Sequence, residues 1–259
     1  MTQTKRTLPQ CLAAPHGCLP GAEPHHHRGR DTAGVLLLHG LTGSPAELAA
    51  LSQPLREAGM SLAIPVLAGH ATQVEALAAT NWRDWRASAQ AALDWLNGHC
   101  TTVHIVGFSM GSLLATLLAA EQEPARRGKV VLLAPAFALR PVERTAILAF
   151  QRLGWQPILR ARPAVVPGPR YDAMPLRSVA QLLELQEFVA DRVQPLAQPV
   201  LVVHGDRDST IQAGRALRAV RQVLGSEPRL RLVRDGEHLL LLGPQSATIA
   251  SEIMEFLAS

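Results

Sequence analysis

The sequence has very little lysine, few aromatic residues and no long hydrophobic run. Lys5 and Lys129 are its two lysines, so arginine carries most of the positive charge behind a formal net charge of +4. That surplus of arginine reflects either codon usage or a surface that attracts anionic substrates or membranes. Because no run of five or more basic residues occurs, we expect no nucleic-acid-binding tail. No stretch approaches the roughly 18 uninterrupted apolar residues that span a bilayer, so we expect no transmembrane segment.

Cysteine is also scarce, at three residues: Cys11, Cys18 and Cys100. An odd number is unusual for a secreted domain held by disulfides, and a reducing compartment is the simpler interpretation. The N-terminal stretch has basic residues, but prolines interrupt it before it forms the apolar core of a signal peptide. We therefore expect a cytoplasmic protein.

What the chain does have is the composition of a globular protein. Hydrophobic residues make up 47% and charged residues 18% of 259 residues, which is enough for one large domain with a full core. Residues 1–30 are rich in proline, glycine and histidine and show no periodicity. They predict an irregular lead-in, with room for one short edge strand, ahead of a single domain over 31–259.

The stretch "PHHHRGR" at 24–30, with cysteines nearby in the lead-in, raises a metal site as an alternative. Three adjacent histidines cannot all face one ion, however, and no spacing typical of structural zinc occurs. We therefore expect neither a metal nor a cofactor.

From residue 34 onward, short apolar runs alternate with helical stretches. Runs such as "GVLLLHG" (34–40), "VHIVGF" (103–108) and "KVVLLAPAF" (129–137) are typical of strands buried on both faces. Residues 44–59 predict a helix with Ser44 as N-cap and Gly59 as its end. The alternation predicts an α/β fold, with a mostly parallel central sheet and helices on both of its faces.

Residues 138–195, the cap segment, interrupt this alternation with many prolines and two or three weak helical stretches. An insertion after one strand of such a sheet lies above the carboxyl ends of the strands, where ligands bind, so we expect a cap or lid. Its Leu, Ala, Val and Pro residues suit an aliphatic acyl chain and equally suit packing onto the sheet. Its arginines form a solvated basic surface or, alternatively, attract an anionic carrier or lipid head group. Those up to Arg177 are Arg140, Arg144, Arg152, Arg160, Arg162, Arg170 and Arg177.

The stretch G-F-S-M-G at 107–111 lies between a predicted strand and a predicted helix. This is the nucleophile-elbow pattern in its expected context. Side chains at Gly107 or Gly111 would collide with the neighbouring strand or helix in so tight a turn. Ser109 is thereby exposed at a helix N-terminus, where developing negative charge is favoured. The alternative is an ordinary small-residue turn that carries a serine.

A serine nucleophile needs a base, an acid that orients the base, and donors for the oxyanion. Of the ten histidines, His238 follows the last strand through a loop that can bring it over the sheet edge. His39 is more plausible as a structural hydrogen-bonding residue beside Gly40. The acid falls in "HGDRDST" (204–210), because the expected chain order is Ser, Asp, His.

Two amides are candidates for the oxyanion hole. The expected pattern takes one from the residue after the nucleophile and one from the loop after the first clear strand, which predicts the N–H groups of Met110 and Leu41.

Five motifs together resemble the α/β-hydrolase superfamily, and more closely the small bacterial carboxylesterases and monoacylglycerol lipases. They are H-G-L-T-G at 39–43, P-V-L-A-G-H at 65–70, G-F-S-M-G at 107–111, H-G-D-R-D at 204–208 and G-E-H at 236–238. The resemblance covers roughly residues 33–257 and is weakest in the lead-in and the cap segment.

This resemblance implies that Asp208 is the acid, from the family's G-x-x-D pattern, and that Asp206 forms the turn or pairs with arginine. Two positions depart from the family: Ala71 stands where relatives often carry glycine, and Glu237 where they usually have Ser-Gly before the histidine.

The expected function is therefore hydrolysis of a small carboxylic ester with an aliphatic acyl chain, through an acyl-enzyme on Ser109. A thioesterase, or an esterase for carrier-bound acyl groups, is the alternative enzyme. A non-catalytic hydrolase-like binding protein is the alternative outside catalysis. The sequence does not give the physiological substrate or the oligomeric state.

Overall fold

A seven-stranded sheet runs through the computed structural model, which describes residues 8–160, 168–225 and 227–259. The order of its strands is β1-β3-β2-β4-β5-β8-β9, and a separate two-stranded ladder joins β6 to β7. In chain order the strands are β1 His25–His27, β2 Ala33–Leu38, β3 Ser61–Ile64, β4 Thr102–Phe108, β5 Arg127–Leu133, β6 Ile158–Arg160, β7 Ala173–Pro175, β8 Val200–Gly205 and β9 Arg229–Val233. Within the central sheet all neighbours pair in parallel except β1 with β3.

Eight α-helices occur in the described residues and connect or flank these strands. They are α1 Ser52–Glu57, α2 Val74–Ala79, α3 Trp82–Asn97, α4 Met110–Glu121, α5 Pro141–Arg152, α6 Leu176–Arg192, α7 Ala213–Leu224 and α8 Ser246–Ala258. Sequence signals fix several of their ends. Asn81 and Asp84 form a capping box at the start of α3, and Gly225 ends α7 in the left-handed region at φ 65°.

The sheet is buried on both faces. Leu36 and Leu38 of β2 pack into one cluster with α3, α4, α6 and α7, while Val35 and Leu37 pack into a second cluster with α1 and α8. Successive side chains of a strand point to opposite faces, so a continuous apolar run supplies both clusters at once. The predicted fold, a mostly parallel sheet covered by helices on both sides, is confirmed.

Two predicted boundaries were wrong. The strand expected over 129–137 ends at Leu133, because the chain turns at Ala134, which has a φ of 41°. The helix expected over 44–59 is a 3-10 helix, Pro45–Leu51, followed by the short α1. Ser44 occupies the N-cap position, but its hydroxyl donates to the carbonyl of Pro169 at 2.7 Å instead of capping the helix.

The lead-in supplies the short edge strand for which its sequence left room. His25, His26 and His27 form β1, and they pair with Ile64, Ala63 and Leu62 of β3. Lys5 lies outside the described residues.

The cap segment has an inner and an outer part. Helix α6 packs into the main core through Leu182, Leu185 and Val189. The outer cap, which we define as residues 141–160, comprises α5 and β6, and Ile147 connects it to α6. The β6–β7 ladder was not predicted, since three exposed residues in β6 give no periodicity. Arg162 lies outside the described residues.

The cap segment contacts the loops that follow β2 and β3. The Tyr171 amide donates to the Thr42 carbonyl in the loop after β2, at 3.0 Å. The Tyr171 hydroxyl donates to the Gly69 carbonyl after β3, at 2.8 Å. Two of the predicted cap arginines form ion pairs, Arg140 with Glu143 and Arg144 with Glu187. None of the described helices is long and apolar enough to cross a membrane.

Candidate active site

Ser109 occupies a sharp turn between β4 and α4. Its backbone has φ 52° and ψ −115°, a strained conformation for a residue with a side chain. The strain is held by the surroundings, because the Ser109 amide donates to the Leu133 carbonyl at 2.8 Å and its own carbonyl accepts from the Ala136 amide at 3.2 Å. The turn therefore presents the hydroxyl at the carboxyl end of the sheet.

The two glycines of the elbow have the steric reason that the sequence predicts. A Cβ atom on Gly107 would lie 2.3 Å from the carbonyl oxygen of Gly111, and one on Gly111 would lie 2.1 Å from that of Leu38 in β2. Neither backbone neighbour can move without displacing a strand or helix. The close approach of α4 to β2 thus requires glycine at both positions.

His238 lies in the loop after β9 and reaches across to Ser109. Its Nε2 is 3.1 Å from the Ser109 hydroxyl oxygen, and its Nδ1 is 2.7 Å from Oδ2 of Asp208. An ionised carboxylate only accepts hydrogen bonds, so Nδ1–H donates to Asp208 and Nε2 accepts from the serine hydroxyl. The structure thus brings the three predicted side chains into one hydrogen-bonded chain.

Asp208, not Asp206, accepts the hydrogen bond from His238. Its side chain is 0% exposed. Burial acts to raise its pKa, but hydrogen bonds from His204 and His238 and from the Ile211 amide outweigh burial and hold the pKa well below its usual range. The other carboxyl oxygen, Oδ1, accepts from the Thr210 and Ile211 amides at 2.8 Å each. The carboxylate is therefore fixed on both sides and stays charged.

Asp206 has a different environment from Asp208. It is exposed, and its amide donates to the Val233 carbonyl at 3.1 Å, which joins the end of β8 to β9. In the described part of the chain its carboxylate forms no ion pair, whereas the neighbouring Arg207 pairs with Asp235 at 2.6 Å. The position of Asp206 therefore agrees with the turn interpretation.

His204 is a supporting residue that sequence reasoning missed. It is fully buried in β8, and its Nε2 lies 3.1 Å from the Ile211 carbonyl and 3.3 Å from Oδ2 of Asp208. Both neighbours accept hydrogen bonds, so Nε2 carries the proton and donates. The signal was present in the motif H-G-D-R-D, but only the folded loop shows which atom the histidine faces.

One predicted oxyanion amide belongs to Met110, which follows Ser109 in the chain, and the other belongs to Leu41, which follows Gly40 in the loop after β2. Met110 is the first residue of α4, where backbone N–H groups have no partner within a helix. Neither the Met110 nor the Leu41 amide donates a hydrogen bond to another described residue. At Gly40 the loop after β2 lies against the nucleophile elbow, since a Cβ atom on Gly40 would lie 3.2 Å from Cβ of Ser109.

His39 is a structural residue, as its position beside Gly40 suggested. It is fully buried, its Nδ1 donates to the Gly40 carbonyl at 2.9 Å, and its Nε2 accepts from the Leu67 amide at 3.2 Å. Burial, and secondarily the nearby His70, lower the pKa of His39 to about 3. His39 is therefore neutral, and it links the loop after β2 to the loop after β3.

The two departures from the family pattern differ in their consequences. Ala71 has a φ of 59°, the left-handed region that favours glycine, which is the residue expected there from the resemblance. Glu237 is exposed beside His238 and accepts no hydrogen bond from a described residue through its side chain. Within the described ranges, no group of three or more His, Cys, Asp or Glu side chains is placed to hold a metal ion.

The fold and the elbow geometry define the class of protein. A sequence model of the alpha/beta hydrolase family matches residues 35–250, from β2 into α8, and the chain belongs to this family.

Similarity to individual proteins extends over nearly the whole chain. A thermostable monoacylglycerol lipase of Bacillus sp. (strain H-257) is 29% identical over 247 residues, covering 93% of this chain and 96% of that protein. A carboxylesterase of Bacillus subtilis (strain 168) is 23% identical over 239 residues, covering 91% and 96%. A solved structure of the metagenome-derived lipolytic enzymes LipS and LipT superposes with a TM-score of 0.81 at 27% identity, covering 93% of this chain and 99% of that one.

Proposed function

We propose that this protein is a serine hydrolase of carboxylic esters, with Ser109 as nucleophile, His238 as general base and Asp208 as the acid that orients it. The observation that carries the proposal is the continuous chain of hydrogen bonds from the Ser109 hydroxyl through His238 to the buried carboxylate of Asp208. The relatives named as a monoacylglycerol lipase and a carboxylesterase support the same reaction class.

The geometry supports a two-step acyl transfer. His238 Nε2 accepts the Ser109 proton while the oxygen attacks the ester carbonyl, and Asp208 holds the imidazole in the required tautomer and stabilises its protonated form. The Leu41 and Met110 amides donate to the oxyanion that develops, which in a water-excluded site is a large stabilisation. His238 then protonates the leaving alcohol, and later it activates the water that hydrolyses the acyl-enzyme.

We further propose that residues 31–259 act as one catalytic domain and that the cap segment, 138–195, selects the substrate. Its contact with the loop after β2 supports that role, because Gly40 of that loop lies against Ser109. Apolar residues dominate the cap, which favours an ester with an aliphatic acyl chain over a strongly charged substrate. Cys11, Cys18 and Cys100 are all free thiols, which supports a cytoplasmic location.

A chain-length series tests this function. Purified protein should hydrolyse p-nitrophenyl esters of aliphatic acids, and kcat/KM should vary with chain length as the acyl group fills the site. Acyl thioesters of matched length, assayed side by side, should be poorer substrates. A preference for the thioesters would make the protein a thioesterase, and a lack of turnover with both series would make it a binding protein.

A further inference from the structure

A buried glutamate lies directly behind the loop that follows β2. Glu47 belongs to the 3-10 helix Pro45–Leu51 and is only 9% exposed. Its Oε2 accepts the Gly40 N–H at 2.9 Å, seven residues back in the chain. Nothing in the sequence predicts this contact, because a glutamate in an amphipathic stretch is ordinarily a solvated residue.

Two glycines of the loop after β2 lie against the Glu47 carboxylate. A Cβ atom on Gly43 would lie 2.3 Å from the Glu47 carboxyl group, so the carboxylate fills the space next to that residue. A Cβ atom on Gly40 would lie 3.3 Å from Oε2 of Glu47 and 3.2 Å from Cβ of Ser109. Gly40 is thus held between the carboxylate and the nucleophile.

Other contacts hold the remainder of the loop. Thr42 has a φ of 64°, a strained conformation that persists only where its surroundings fix it, and its carbonyl accepts from the Tyr171 amide at 3.0 Å. The Leu41 amide, between Gly40 and Thr42, donates to no other described residue. The direction of this N–H therefore depends on how the peptide groups beside it are held.

A buried carboxylate is costly, so its presence at this position calls for a reason. Burial raises the pKa of Glu47 to about 7, although the Gly40 hydrogen bond and the nearby charge of Arg170 oppose that rise. A hydrocarbon side chain of similar size would fill the same space without a desolvation penalty. What the hydrocarbon would lack is an acceptor for the Gly40 N–H.

We propose that Glu47 is a positioning residue of the oxyanion hole: by holding the Gly40 amide, it directs the adjacent Leu41 N–H toward the oxyanion formed at Ser109. Glu47 itself touches no reacting atom. The inference rests on the function proposed above and specifies a further residue on which that function depends.

Glu47→Met tests this role by removing the acceptor at nearly constant volume. We expect kcat for a p-nitrophenyl ester to fall about 10- to 100-fold, with KM within about twofold, because a displaced donor costs transition-state binding. Affinity for an alkyl trifluoromethyl ketone, which adds to Ser109 and forms an oxyanion, should fall in parallel. Affinity for the matching methyl ketone, which remains planar, should not change. Glu47→Gln, whose amide oxygen still accepts, should recover most of the lost kcat.

The control is Glu57→Met at the exposed end of α1, which should match the wild type in kcat and in the affinity for both ketones. If Glu47→Met does not fold, Glu47→Asp is the second variant, because its side chain is one methylene shorter and moves the carboxylate away from the Gly40 amide. It should lower kcat and the affinity for the trifluoromethyl ketone without changing the affinity for the methyl ketone. Wild-type kcat in the altered protein would overturn the inference, as would an equal loss of affinity for both ketones together with a lower melting temperature. Absence of turnover in the wild type would instead overturn the proposed function, so the two failures are distinguishable.

Discussion

The loops around Ser109 and the outer cap, residues 141–160, differ in nearly every physical respect. In the loops, the side chain of Asp208 is inaccessible to solvent, and both of its carboxyl oxygens accept hydrogen bonds. In the outer cap, Leu153 is 78% and Trp155 57% exposed, and all three residues of β6 face solvent. We infer from this difference that the proposed chemistry depends on fixed polar geometry, and we expect the exposed part of the outer cap to contribute little to stability.

The largest expected effect concerns the two aspartates of the loop after β8. Asp208→Asn should lower kcat about 10³- to 10⁴-fold, because the amide disturbs the His238 tautomer while the shape of the site is kept. Asp206→Asn, the matched control, removes an exposed carboxylate two residues before Asp208 in the chain and should leave kcat within about twofold. Steady-state kinetics with a p-nitrophenyl ester measures both. An equal loss in the two variants would contradict the assignment of the acid.

Substitution of two tryptophans, one in the core and one in the outer cap, tests whether the exposed outer cap contributes little to the free energy of unfolding. Trp85 in α3 is 0% exposed and its Nε1–H donates to the Thr80 hydroxyl at 3.0 Å. Trp85→Ala should therefore lower the free energy of unfolding by about 3–5 kcal/mol. Trp155→Ala, which loses mainly an edge contact with Phe150, should lower it by less than about 1 kcal/mol. Urea titrations measure the free energy of unfolding of both variants. Equal losses in the two variants would contradict the difference in stability between the core and the outer cap.

A smaller effect is expected in the pH dependence of stability. The pKa of Asp208 is lower in the folded chain than the value of about 3.9 for an unfolded aspartate, so its ionisation stabilises the fold at neutral pH. This contribution is lost progressively as the pH falls below about 4, because the carboxylate of the unfolded chain becomes protonated while that of the folded chain is still ionised. The difference in unfolding free energy between wild type and Asp208→Asn should be widest near neutrality and should shrink in acid.

Urea titrations at pH 7, 5, 4 and 3 measure that difference. Asp206→Asn, carried through the same series, should follow the wild-type curve. A difference between wild type and Asp208→Asn that grew in acid would mean that the hydrogen bonds around the carboxylate do not stabilise its charged form.

Much of the fold could be predicted from the sequence, because its signals are local. The apolar run of β2 and the amphipathic pattern of α3 each identify an element without knowledge of its neighbours. The elbow motif identified Ser109 as the candidate nucleophile, and the loop after the last strand identified His238 as the candidate base. The choice of Asp208 over Asp206 needed resemblance to a family, since both follow the same buried strand.

The residues that could not be predicted act through contacts distant in the chain. Ser44 looked like a helix cap, but its hydroxyl bonds to Pro169, 125 residues away. The role of His204 depends on the fold of the loop after β8, and that of Glu47 depends on the close approach of two loops. A short exposed strand such as β6 has too few residues for its pattern to distinguish it from a loop.

Locating the covalent adduct of a serine-reactive probe tests most directly the claim that Ser109 is the nucleophile. Wild-type protein treated with a fluorophosphonate should gain one adduct, and tandem mass spectrometry of its peptides should locate it on Ser109. Ser109→Ala should gain none and should lose almost all ester turnover while keeping its fold. An adduct on another residue, or ester turnover retained by purified Ser109→Ala protein, would contradict the account.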